Sequence, residues 1–188
     1  MTAIGFRVKS GRAVGVAVSG SIASPEPIAR VLVELSDPAV PETRQPFHDG
    51  FGTAQEDPRV IERLTAIVER CAQRSIAAML EDARLQSCRQ AGLVVGSLID
   101  PDRVGNPHIR AHAMEGRLFR TALEEALRAH RVACTTIVEK TLPAAAVRRL
   151  NRTDAEIRRT VAAFGRALGS PWRIDEKAAA TAAWMALP

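Results

Sequence analysis

The order in which periodic segments arrive constrains this chain more than any motif does: three strand-like stretches, a long amphipathic helix, a strand, a helix, another strand, and helices to the end. Ile4, Phe6 and Val8 alternate with Gly5, Arg7 and Lys9. Ser10-Gly11-Arg12 then supplies turn chemistry before the strand-like run Ala13 to Val18, so a hairpin is expected. A looser connection from Gly20 to Pro27 leads to a third strand, Arg30 to Leu35. Between Asp37 and Glu56, Pro38, Pro41, Pro46, Gly50 and Gly52 predict a long loop, and long loops in compact domains often carry function.

Asp57-Pro58 has the chemistry of an N-cap followed by proline at the first helical position. The stripe Val60, Leu64, Ile67, Cys71, Ala72, Ile76, Met79 and Ala83 extends that helix to about Ser87. Gly92 to Ile99 is a short apolar run, as a strand buried on both faces requires. A helix from Pro107 to His130 and a strand from Val132 to Val138 follow. Thr153 and Glu156 form a capping box for a helix with Ile157, Val161, Phe164 and Leu168 on one face, and an alanine-rich helix from Asp175 to Leu187 is suited to lie close against a sheet. The predicted string is βββαβαβα with one extra helix before the last. Tight connections make the opening strands antiparallel, and helical crossovers make the later ones parallel. The expectation is an α/β fold, a mixed five-stranded sheet with helices on both faces, as one domain spanning 1–188.

A length of 188 residues, 46% hydrophobic and 25% charged, suits one compact core. The formal charge of +5 comes almost entirely from arginine, because Lys9, Lys140 and Lys177 are the only lysines. A GC-rich genome produces that bias by itself; the competing reading is a surface for phosphates, although basic runs stop at pairs such as Arg148-Arg149 and Arg158-Arg159. Cys71, Cys88 and Cys134 are odd in number and widely spaced, which disfavours a disulfide framework and a zinc knuckle and points to a reducing cytoplasm. No segment approaches a membrane span.

The hairpin from Gly5 to Val18 and the closing segment from Trp172 to Trp184, set in this element order, resemble the ribonuclease H-like fold, and within it the RuvC-like Holliday-junction resolvase branch. That resemblance implies a metal-binding carboxylate on the first strand, another near the end of the fourth, and one or two at the start of the last helix. Asp100 matches the second of these, and Asp175 or Glu176 the third. The first is missing: residues 1–25 contain no acidic residue, and Arg7 and Lys9 stand where the first aspartate is implied. Cations there oppose a Mg²⁺ site instead of supplying ligands, so two-metal nuclease chemistry is not expected.

In an open α/β sheet ligands gather beyond the carboxyl ends of parallel strands. That edge is expected to collect Arg7, Lys9, Ser10, Asp100, Lys140 and Thr141. On a helical wheel His108, His112, Glu115, Phe119, Ala122, Leu123 and Ala126 share one face. His-x-x-x-His-x-x-Glu presents two imidazoles and a carboxylate to one point, as a metal site or an acid-base pair requires, although a histidine and a glutamate three apart also simply hydrogen-bond each other. The catalytic candidates are His112, Glu115 and Asp175, with His112 as acid or base oriented by Glu115. Arg7, Lys9, Ser10 and Lys177 are the candidates for holding an anion. His108 is expected as an exposed first-turn residue, His48-Asp49 as an exposed loop pair, with a swing of that pair over the same sheet edge as the alternative, Asp175 also as the last helix's N-cap, Glu176 as a solvated first-turn residue, and Trp172 and Trp184 as packing. No metal ligand set is assigned and no cofactor is identified. The partner class is nucleic acid or another phosphate-containing ligand, with a homodimer compatible. The alternative is a non-catalytic binding or assembly module: convergence of Arg7, His112, Glu115 and Asp175 in a deep pocket favours an enzyme, whereas an internally salt-bridged sheet edge favours the module.

Overall fold

The structure, a computed structural model, describes residues 1–50 and 52–188. Strands β1 (Thr2–Lys9), β2 (Arg12–Gly20) and β3 (Pro25–Glu34) form an antiparallel meander. Helix α1 (Pro58–Leu80), strand β4 (Gln90–Val95), helix α2 (Pro107–Ala129) and strand β5 (Ala133–Val138) follow, with β4 parallel to β1 and β5 parallel to β4. Three helices close the chain: α3 (Leu142–Leu150), α4 (Asp154–Leu168) and α5 (Ile174–Ala186). The sheet order β3-β2-β1-β4-β5 is the mixed five-stranded arrangement the sequence predicts.

Alternation along β1 divides the interior in two. Ile4, Phe6 and Val8 pack with Val68, Ala72 and Ile76 of α1 and with Phe119 and Leu123 of α2. Ala3, with Val16 and Val18 of β2, faces Val161 and Phe164 of α4 and Ala179, Ala183 and Trp184 of α5. Because successive strand residues point to opposite faces, Gly5 and Arg7 share this second side. Gly5 lies in register with Gly92 of β4, and together they form a lane without side chains on which α5 rests. A Cβ at Gly5 would collide with the Ala179 carbonyl, and one at Gly92 would come within 2.8 Å of the Ala182 carbonyl oxygen.

Several boundaries differ from the sequence expectation. Strand β3 begins at Pro25 rather than Arg30; it is an edge strand, where a residue lacking an N–H is tolerated. Helix α1 ends at Leu80, and Asp82 and Arg84 pair in the turns beyond it. Strand β4 ends at Val95, leaving Leu98 and Ile99 in an exposed connection. Helix α3 is additional to the predicted string. All three cysteines are free. Burial raises the thiol pKa of Cys88, and that of Cys134 to about 11, which keeps both protonated.

Candidate functional site: a histidine cluster around a buried glutamate

Asn106 caps α2, its side chain accepting from the Ile109 N–H at 3.0 Å, and Pro107 occupies the first turn. This fixed start places His108, His112 and Glu115 on one face, at successive turns leading to Phe119 in the core. Glu115 is therefore drawn inside, with its side chain only 2% exposed. A carboxylate at that depth is costly unless paired.

Its partner comes from the long loop between β3 and α1. Thr43 and Phe47 are buried there, and His48 forms a β-bridge with Ala54 that turns its imidazole onto α2. His48 Nδ1 lies 2.6 Å from Glu115 Oε1, and the His48 side chain is 4% exposed. His48 Nε2 stands 3.3 Å from His108 Nδ1, and His108 Nε2 stands 3.3 Å from His112 Nε2. His112 Nδ1 closes the ring at 3.5 Å from Glu115 Oε2, a buried oxygen with no well-formed hydrogen bond. One ring nitrogen from each histidine lies within 4.8 Å of the other two.

The second polar cluster occupies the opposite side of the sheet. The Arg7 guanidinium is buried; it donates to Glu139 Oε2 at 2.6 Å and to the Val8 carbonyl at 2.7 Å. Lys9 Nζ pairs with Asp175 Oδ1 at 3.1 Å. Lys177 and Glu139 line a groove of about 560 Å³ among α3, α4 and α5. Ser10 is exposed in the β1–β2 turn.

Two sets thus replace the one site expected from the sequence. On the α5 side Arg7 pairs with Glu139, Lys9 pairs with Asp175 and Lys177 lines the groove beside Glu139, while His112 and Glu115 meet His48 and His108 on the α1–α2 side. The expected approach of His112 and Glu115 to Arg7 or Asp175 is not found, because β1 directs Arg7 away from the face that receives α2. Other placements also change. Asp100 lies five residues beyond the end of β4 and accepts from the Asp102 N–H at 3.2 Å, so it caps a helical turn rather than ending the strand. Asp175 is not the N-cap of α5, a position held by Arg173, and Glu176 is buried, accepting from the Arg173 N–H at 2.8 Å. Trp184 is core, as expected, with its indole N–H donating to the Ile22 carbonyl at 2.9 Å. His108 is exposed as predicted but belongs to the cluster, and its four-residue spacing from His112 was the available signal. His48 was expected to be exposed and is buried; no local pattern announces a bridge with Ala54.

No family model matches the chain, and no curated protein sequence does. The meander, the two parallel crossovers and the sheet order make a ribonuclease H-like α/β fold. Within that class the architecture is RuvC-like. It superposes on Thermus thermophilus RuvC in complex with a Holliday junction substrate, with a TM-score of 0.57, 11% identity, and coverage of 98% of this chain and 91% of that one. A second Thermus thermophilus RuvC structure gives the same TM-score, 0.57, at 10% identity over 98% and 92% of the two chains.

Proposed function

We propose that this chain is a RuvC-like protein that acts on a phosphate-containing ligand, nucleic acid first among them, through His48, His108, His112 and Glu115 instead of through carboxylates at the sheet edge. The observation that carries the reading is the buried pair of His48 and Glu115 at 2.6 Å, with two further imidazoles in contact. Carboxylate-oriented imidazoles set beside solvent-exposed ones are an arrangement suited to moving protons or holding a cation at a reacting phosphate. The RuvC-like scaffold supports nucleic acid as the ligand, since one such neighbour is bound to a Holliday junction. The excess of positive charge, +5, is in keeping with it. The unpaired state of all three cysteines supports a reducing cytoplasm as the setting. Among the described residues no helix is long and apolar enough to cross a membrane.

One observation favours the alternative of a non-catalytic binding module. The sheet edge is closed internally by the ion pairs of Arg7 with Glu139 and of Lys9 with Asp175. Cations so engaged are less available to a ligand.

Fluorescence anisotropy with labelled duplex and junction DNA over a salt series, run beside hydrolysis of an activated phosphodiester, tests the reading. Binding is expected to fall steeply with salt and to show little preference for junctions, because the charge is scattered arginine. His112→Ala is expected to remove hydrolysis. Binding without any hydrolysis, unaffected by His112→Ala, would make the module the correct description.

A further inference from the structure

From the histidine cluster we infer a binding site for one divalent transition-metal ion of the zinc class, with His48, His108 and His112 as ligands and Glu115 as the residue that positions them. The inference rests on the reading above, that this cluster is the working centre, and adds what the cluster holds.

The polar contacts carry the first step. The ring Glu115–His48–His108–His112–Glu115 has four polar contacts, at 2.6, 3.3, 3.3 and 3.5 Å in that order. A neutral imidazole has one N–H, and an ionised carboxylate only accepts. Both approaches to Glu115 run through Nδ1, but only that of His48, at 2.6 Å, is a hydrogen bond, and Glu115 Oε2 is left without a partner 3.5 Å from His112 Nδ1. The Nε2 atoms of His48 and His112 both turn toward His108. Three imidazoles thus gather their ring nitrogens beside a buried carboxylate that has one oxygen unpartnered.

The spacing of the rings suits a metal ion between them. Ligand nitrogens about 2.0–2.1 Å from a tetrahedral ion lie about 3.3 Å from one another. The two 3.3 Å contacts use different nitrogens of His108, so only one of them can join two ligand atoms, and one nitrogen from each of the three rings lies within 4.8 Å of the others. Glu115 holds the outer Nδ1 of His48, which orients that ring and aims its Nε2 into the cluster. All three ligands being nitrogen selects zinc-like ions over Mg²⁺ or Ca²⁺, which prefer oxygen. His48 closes the inner side at 4% side-chain exposure, whereas His112 is 49% exposed, so a fourth position opens toward solvent for water or a phosphate oxygen.

The test uses the full chain freed of metal by chelation and titrated with Co²⁺ and Zn²⁺, followed by visible absorption and calorimetry. One equivalent is expected to bind, with the Co²⁺ spectrum of a low-coordinate nitrogen site. His108 and His112 are exposed, so their replacement by alanine should leave the fold intact, and each should weaken binding by about 100-fold or more. Glu115→Gln should weaken it by about 10–100-fold. His130→Ala, at the far end of α2, should leave it unchanged. Wild-type binding no tighter than that of the His108→Ala, His112→Ala double variant would overturn the inference. One equivalent bound at this site with no engagement of DNA or phosphodiester would retain the metal site and refute the proposed function. Phosphodiester hydrolysis that needs His112 but persists in metal-free protein would do the reverse.

Discussion

A carboxylate sits one helical turn before Phe119 and faces the same way, at a place where the neighbouring positions on the wheel are core. Truncating it would leave the buried Nδ1–H of His48 without an acceptor. Glu115→Ala is therefore expected to destabilise the fold by about 1–3 kcal/mol, and Glu115→Gln by less, since the amide oxygen still accepts. Denaturant unfolding of both variants beside the parent measures this, and equal stability of all three would mean that His48 has no need of its partner. At this scale legibility was uneven. The periodicity that places Phe119 also placed His112 and Glu115, because a helix imposes a local geometry on residues three and four apart. His48 is some sixty residues away in sequence from His108, and its orientation depends on a loop whose path is set by burial of Thr43 and Phe47. Arg7 pairs with Glu139 and Asp175 with Lys9, and strand alternation, a two-residue period, already argued that Arg7 and Phe6 face opposite ways.

Elements were the most legible level, and the misses have specific causes. Helix α4 announces itself by its capping box, in which Thr153 and Glu156 satisfy each other's ends and lower the Glu156 pKa. Helix α3 has only nine residues, and of its stripe Leu142, Ala146 and Leu150 the middle member is alanine, so the periodic signal is weak. The prolines of β3 mark an edge strand as easily as a loop. The alanine-rich segment is a helix pressed on the sheet, and the reason lies in β1 and β4 more than in α5 itself. Gly5 and Gly92 remove the side chains that would hold the helix away. Gly5→Ala should thus cost about 3 kcal/mol or more, because its obstruction is helix backbone that cannot rotate aside. A thermal or denaturant midpoint unchanged by Gly5→Ala would show that α5 is not so close to the sheet.

For the molecule as a whole, the sheet acts as a partition. On one side it carries ion pairs at the position where a RuvC-like resemblance implies metal-binding carboxylates. On the other it supports a histidine cluster that the resemblance does not imply. Charge decides what the first side can do: a buried guanidinium and an ammonium group adjoining Asp175 raise the energy of any divalent cation placed there. The second side has three imidazoles gathered beside a buried carboxylate. The scaffold was legible in the sequence because it follows from local periodicity and connection length, whereas the division of polar residues between two faces follows from tertiary packing. On the proposed reading the histidine face is the working one. The most direct check compares His112→Ala with Asp175→Asn, both measured for phosphodiester hydrolysis with Zn²⁺ or Mg²⁺ supplied. Loss of activity in His112→Ala, with activity retained in Asp175→Asn and no cleavage of branched DNA driven by Mg²⁺, is the predicted result. Robust Mg²⁺-dependent cleavage that disappears in Asp175→Asn and survives His112→Ala would contradict it.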